Sequence, residues 1–260
     1  MELVVLLKQV PDLAEELEID ASGKELARDW LSYVTSEWDE YALEEALQLR
    51  ELAGGTVTCL ALDTGSVDEL LATCLARGAD RVIKVGSYER APDSHASASA
   101  FAAVLRTVGH DLVLVGVQAI DDLDGQLGPL LAAELGLPHV SVVTHIAVGS
   151  DGKTVTANQE YAGGLVAEFE VDLPAVLGVQ TSREAPRYAP VSRVRQLMKT
   201  ATIEALDAPA APDGGLIVES MSLPTASGHA EMIGGDAATV ADRIVAILAE
   251  RGLTRTGAAS

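Results

Sequence analysis

The residues with the clearest chemical use run from Gly116 to Pro129, Gly-Val-Gln-Ala-Ile-Asp-Asp-Leu-Asp-Gly-Gln-Leu-Gly-Pro. They follow the apolar run Asp111-Leu-Val-Leu-Val115 and lead into a helix expected to start near Gln126. A buried strand that passes through such a loop into a helix places unpaired backbone N–H groups and a helix N-terminus at the carboxyl edge of a sheet. That is an anion site suited to a phosphate. The spacing is neither that of a P-loop nor that of a GxGxxG loop. The competing reading is a plain helix cap, with Asp121 or Asp122 accepting from the free N–H groups. Bond-making chemistry has no comparable constellation. His95, His110, His139, His145 and His229 show no metal-ligand spacing, and neither a Ser-His-Asp nor a Cys-His set is readable. Cys59 and Cys74 lie in apolar runs and read as buried free thiols, with a disulfide or metal pair as the lesser alternative.

The elements that must position this loop follow from periodicity. Strands are expected at Leu3–Lys8, Thr56–Leu62, Arg81–Val85 and Leu112–Val115, alternating with helices at Asp39–Arg50, Val67–Arg77, Ser94–Val108 and Gln126–Leu135. This alternation implies a parallel sheet covered on both faces. Val140–Val148, Thr154–Tyr161 and Leu165–Val171, turning at Ser150-Asp-Gly152 and Gly163-Gly164, read as added antiparallel strands, and Ala175–Val179 as one more apolar strand. Thr181 to about Thr202 is basic and Pro-containing, with Arg183, Arg187, Arg193, Arg195 and Lys199. Leu206–Gly215 is linker-like. A short strand at Leu216–Glu219 and a helix at Ala237–Glu250 complete a tail too short to bury a good core by itself.

The chain has 260 residues, nearly half of them apolar, enough for one large domain plus an extension. Its formal charge of −21, from 39 acidic and 18 basic residues, argues against a nucleic-acid partner, which demands a basic face. The first apolar run is too short for a signal peptide or a membrane span, so the simplest location is cytoplasmic, without membrane insertion.

Several segments together resemble the beta subunits of electron transfer flavoproteins. They are Lys8-Gln-Val-Pro-Asp12, Asp39-Glu-Tyr-Ala-Leu-Glu-Glu-Ala-Leu47, Gly78-Ala-Asp-Arg81, Gly116–Asp122 with Gln126-Leu-Gly-Pro129, Gly163-Gly164, Leu173-Pro-Ala-Val176 and Pro186-Arg-Tyr188. They occur in the family's order at nearly its spacing, over residues 1 to about 205. The resemblance implies a Rossmann-like (adenine nucleotide alpha hydrolase-like) α/β domain over 1–205, and a C-terminal arm over 206–260 that contacts an alpha subunit. It implies a heterodimer whose FAD is held mainly by that alpha subunit. Electrons would come from a flavin dehydrogenase and pass to an acceptor such as a quinone reductase. The beta subunit would hold an AMP, or a second FAD in bifurcating relatives, and perform no bond chemistry of its own.

Carried over residue by residue, the resemblance assigns Gly116, Gln118, Ala119, Ile120, Asp121, Asp124, Gly125, Gln126 and Leu127 to the phosphate loop. Asp124 stands where relatives usually carry a hydroxyl or small residue, and Gly125 replaces Ala or Asn. A carboxylate beside a phosphate is repulsive unless a cation or donor intervenes, whereas Gly lets a phosphate approach the backbone. Leu6, Leu62, Ser36, Glu37, Trp38 and Asp39 match the adenine side, with plain core as an equal reading for the two leucines. Leu13 and Trp38 match residues at the flavin's dimethylbenzene edge, although Trp38 also fits a hydrophobic staple before the helix. Glu160 matches a glutamate that pairs with the alpha subunit when the flavin domain swings; otherwise it is an exposed strand carboxylate. Thr181–Lys199 matches the loop that docks dehydrogenases, with Val191 as its apolar anchor and Tyr188, Arg193, Arg195, Met198 and Lys199 around it. An equal alternative is a basic strap on the protein's own acidic surface or on the alpha subunit. A further alternative for the whole chain is a stand-alone adenine-nucleotide-binding protein of the same fold.

Overall fold

The computed structural model describes residues 1–28, 31–209, 216–224 and 230–254. Part of the expected linker (210–215) and His229 lie outside the described residues. The chain forms two compact units, Met1–Met221 and Ser222–Ser260.

The first unit is built on strands β1 (Glu2–Leu7), β4 (Thr56–Leu62), β5 (Arg81–Val85), β6 (Leu112–Gly116) and β10 (Ala175–Val179). Helices α1 (Glu37–Ala53), α2 (Asp68–Arg77), α3 (Ser94–Leu105) and α4 (Leu127–Leu135) connect them. Strands β7 (His139–Val148), β8 (Thr154–Tyr161), β9 (Leu165–Asp172) and β11 (Glu204–Leu206) complete a nine-stranded sheet of order β11-β5-β4-β1-β6-β10-β7-β8-β9. Pairing is parallel from β11 to β7 and antiparallel for β7–β8 and β8–β9.

Strand β1 shows why both sheet faces are covered. Leu3, Val5 and Leu7 point into one core with Ala42, Leu43, Leu47, Leu71 and Cys74 from α1 and α2. Val4 and Leu6 point the other way, onto Phe101, Val104 and Leu131 from α3 and α4. A strand buried on both sides needs such a continuous apolar run, unlike a half-exposed one. From β1 the chain passes outward to β4 and then back across to β6, so the sheet's direction of winding reverses beside β1. The crevice at the carboxyl ends of those strands is where α/β sheets bind ligands.

Four features differ from the sequence reading, one of them the short strand β11 beside β5. Gln9–Pro11 (β2) and Tyr33–Thr35 (β3) form a small antiparallel pair. The basic segment contains a helix, α5 (Val191–Thr200), entered through Pro190. Leu216–Glu219 pairs with no strand among the described residues. The second unit is carried by α6 (Ala237–Glu250), capped by the Asp236 carboxylate on the Thr239 N–H at 2.9 Å. No helix among the described residues is long and apolar enough to cross a membrane.

Candidate functional site

The site begins where β1 and β6 end. Asp39, at the third position of α1, is buried and turns its carboxylate away from its own helix. Its Oδ2 accepts the Lys8 N–H at 2.8 Å and its Oδ1 the Gly116 N–H at 2.9 Å. One side chain thus fastens two adjacent strand ends to the start of α1. Burial pushes the Asp39 carboxyl up to about 7, against the pull of those two N–H donors. Gly116 is required here: a Cβ would lie 2.4 Å from Asp39 Oδ1 and 2.8 Å from Trp38 Cβ.

The loop beyond Gly116 is acidic, and its charges are answered internally. Lys8 Nζ lies 2.8 Å from Asp121 and 2.7 Å from Asp122. Burial lowers the Lys8 ammonium, but its attraction to Asp121 and the hydrogen bonds to both carboxylates leave it raised overall. Asp124 Oδ2 accepts from Ser94 Oγ at 2.8 Å, and its Oδ1 accepts the Gln126 N–H at 3.2 Å. The departure at Asp124 is therefore met by donors. Gly125 has φ +62°, the left-handed region that favours glycine.

Lys8 takes one oxygen each of Asp121 and Asp122, and the other Asp122 oxygen accepts the Asp124 N–H at 3.2 Å in the loop before α4, which itself receives no side-chain cap bond. Pro129 lacks an N–H, and the N–H groups of Leu127 and Gly128 donate to no protein acceptor among the described residues. They stand free at a helix N-terminus, where an anion is favoured.

Beside the loop lies a cavity of about 520 Å³ at the ends of β1 and β4. Leu6, Leu62, Val67, Phe101 and Leu127 line its apolar side, and Lys8, Asp39, Asp121, Thr64 and Ser66 its polar side. A smaller recess joins Lys8, Asp39, Ser94 and Ser97 to Gly116, Gln118, Ala119, Asp124, Gly125, Gln126 and Leu127. An apolar slot next to free backbone donors fits a nucleotide base and its phosphate.

Most of the expected cleft residues are thus brought together. Ile120 is on the exposed side of its loop. Ser36 is fully buried at the N-cap of α1, its Oγ without a partner. Trp38 lies inside α1, one turn too late for a staple, and is half-buried; Glu37 and Leu13 are exposed. Glu160 is exposed on β8, opposite Val166 of β9. Lys8 is the main functional residue that sequence reasoning left without a role. Its signal was a lysine at a strand end facing a loop rich in aspartate.

In the basic segment the two readings divide the residues between them. Arg183 and Arg187 are straps: Arg187 pairs with Glu44 and Glu51 at 2.8 and 2.7 Å, and Arg183 approaches Glu45 at 4.0 Å. Arg193, Arg195 and Lys199 make no ion pair among the described residues. Tyr188, Val191 and Met198 are exposed, while Val194 packs with Ala189 against Ala72 of α2.

The fold is that of an α/β protein with a mostly parallel sheet and a crevice at a point of strand reversal. Residues 26–211 match the family model described as the electron transfer flavoprotein domain. The chain is 31% identical to the electron transfer flavoprotein subunit beta of Methylophilus methylotrophus, over 96% of this chain and 98% of that one. It is 32% identical to the subunit beta of Syntrophomonas wolfei over 87% of each chain, and 34% identical to that of Clostridium acetobutylicum over 75% and 74%. The chain belongs to the electron transfer flavoprotein family, among its beta subunits, and so to flavin-linked electron transfer.

Proposed function

We propose that this chain is the beta half of a heterodimeric electron transfer flavoprotein, and that its cleft holds AMP. The observation that carries the reading is the cleft itself: an apolar slot lined by Leu6 and Leu62 that reaches Leu127, whose N–H at the start of α4 has no protein acceptor among the described residues. Its volume lies in the range of small-molecule sites. Leu6 and Leu62 would wall the adenine, Gly116 to Leu127 would hold the phosphate, and Lys8 would keep the loop's carboxylates from repelling it.

In this reading the redox chemistry is supplied by FAD held mainly by the alpha subunit. Trp38 and Leu13 form a shelf at the flavin edge, and Glu160 meets the alpha subunit when the flavin domain swings. That swing gates electron transfer. A flavin dehydrogenase docks on Tyr188 and the following helix α5 through Val191 and Met198, steered by Arg193, Arg195 and Lys199. A quinone reductase or similar acceptor takes the electrons onward, and the C-terminal unit contacts the alpha subunit.

One observation favours a second reading, with FAD in the cleft. Lys24, Arg28 and Arg90 line the same cavity, cations that would suit the further phosphate of a dinucleotide. Copurification with the alpha subunit, followed by release and identification of bound nucleotides, separates the two. One flavin plus one AMP per heterodimer supports the first; two flavins overturn it. A stable chain with no flavin-bearing partner overturns both.

A further inference from the structure

The strap that leads into α5 is held from one helix. Arg187 donates from Nε to both oxygens of Glu44, at 3.0 and 3.2 Å, from Nη2 at 2.8 Å, and from its backbone N–H at 3.0 Å. Its Nη1 reaches Glu51 at 2.7 Å. The next residue of α1, Glu45, accepts the backbone N–H of Arg183 at 3.5 Å, and the Arg183 guanidinium reaches the Ile146 carbonyl. Glu44 and Glu45 are 4% and 1% exposed. Two successive buried carboxylates therefore fasten both ends of a strap lying 138 and 143 residues away in sequence.

Beyond the strap, the only buried apolar residues among those described that seat the segment on α2 are Ala189 and Val194, which pack with Leu197 on Ala72 and Ala76. A guanidinium gripping a carboxylate through several bonds fixes angle as well as distance. Lysine could not reproduce that fork. The same α1 fastens the nucleotide loop at its other end through Asp39.

We propose that Glu44 is a positioning residue for donor docking: its grip on Arg187 sets where Tyr188, Val191 and Met198 stand relative to the nucleotide cleft. Helix α1 then serves as a rigid gauge between docking face and cofactor side. This rests on the docking reading of α5 given above.

The test uses the intact heterodimer, with an acyl-CoA dehydrogenase and its substrate as the probe donor. Glu44→Gln keeps shape and an acceptor but loses the charge. Amide hydrogen exchange over 188–199 should quicken about fivefold or more, and the KM for the dehydrogenase should rise about fivefold with a smaller change in kcat. Arg187→Lys keeps the charge but loses the fork, and should do the same more weakly. Val191→Asp should raise KM without quickening exchange. Exchange that stays within about twofold of the unaltered protein in both clamp variants overturns the proposal. So does quickened exchange with an unchanged KM while Val191→Asp raises it. If Val191→Asp leaves KM unchanged, or the probe fails to reduce the unaltered heterodimer, the docking reading falls and the proposal falls with it.

Discussion

Asp39 and Lys8 show how much depends on single side chains in this cleft. The folded Asp39 has its pKa at about 7 against 3.8 for the free side chain, driven by burial. The folded chain thus holds a proton that the unfolded chain releases. The ionised form costs stability progressively as pH rises above the free value, and the cost is complete above about 7. Asp39→Asn removes that dependence, while leaving an amide where two N–H donors need acceptors. Chemical denaturation at pH 5 and pH 8 should show the native chain losing about 3 kcal/mol relative to the variant across that interval. A constant difference would disprove the linkage. In the proposed function Lys8 acts on ligand binding instead. Lys8→Met leaves Asp121 and Asp122 without their counter-charge, next to the free donors of α4. Titration of AMP into the nucleotide-stripped heterodimer should show affinity reduced about tenfold, equivalent to about 1.4 kcal/mol. A Kd unchanged within about twofold would show that the loop's charge does not bear on the phosphate. The sequence made the carboxylates visible but not their answer: pairing of residues 113 and 114 positions apart is invisible to local spacing.

Among the elements, those with strict periodicity were legible to the residue. Thr56–Leu62, Arg81–Val85, Thr154–Tyr161, Ala175–Val179 and Ala237–Glu250 stand as the apolar pattern places them. Elements made by tertiary pairing were not. Strand β11 is three residues long and exists through its parallel partner β5, helped by the bidentate Arg81–Glu204 pair at 2.7 and 2.6 Å. Helix α5 was hidden by its arginines and Pro190, yet Val191, Val194 and Met198 repeat at helical spacing, and Pro190 suits a helix start. Only Val194 of those three is buried. Val194→Asp should therefore unseat α5 while the sheet stays intact. Trypsin cleavage after Arg193 and Arg195 should accelerate about tenfold or more, because local opening governs proteolysis, with little change in the main thermal transition. Equal cleavage rates would mean that α5 is held without its apolar seat.

At the scale of the whole molecule, the two units differ in what sustains them. The first has two apolar cores, one on each face of its sheet. The second rests on α6, none of whose described residues is buried and which exposes Ile244, Val245 and Leu248. A lone helix of 14 residues is marginal in water, since nucleation costs more than so few turns return. An apolar face of this kind needs a groove to lie in, and in the proposed assembly the alpha subunit supplies it. Truncation after Met221 should then leave the first unit folded, with its cleft complete, because Val218 and Met221 of the cavity wall are retained. Circular dichroism and nucleotide binding should stay near those of the full chain. The heterodimer should dissociate about tenfold or more readily in sedimentation at micromolar concentration, a loss of at least about 1.4 kcal/mol. If the truncated chain pairs as tightly as the full one, α6 serves something other than the alpha subunit. If it fails to fold, the tail belongs to the core of the first unit, and the division of the chain at Met221 is wrong.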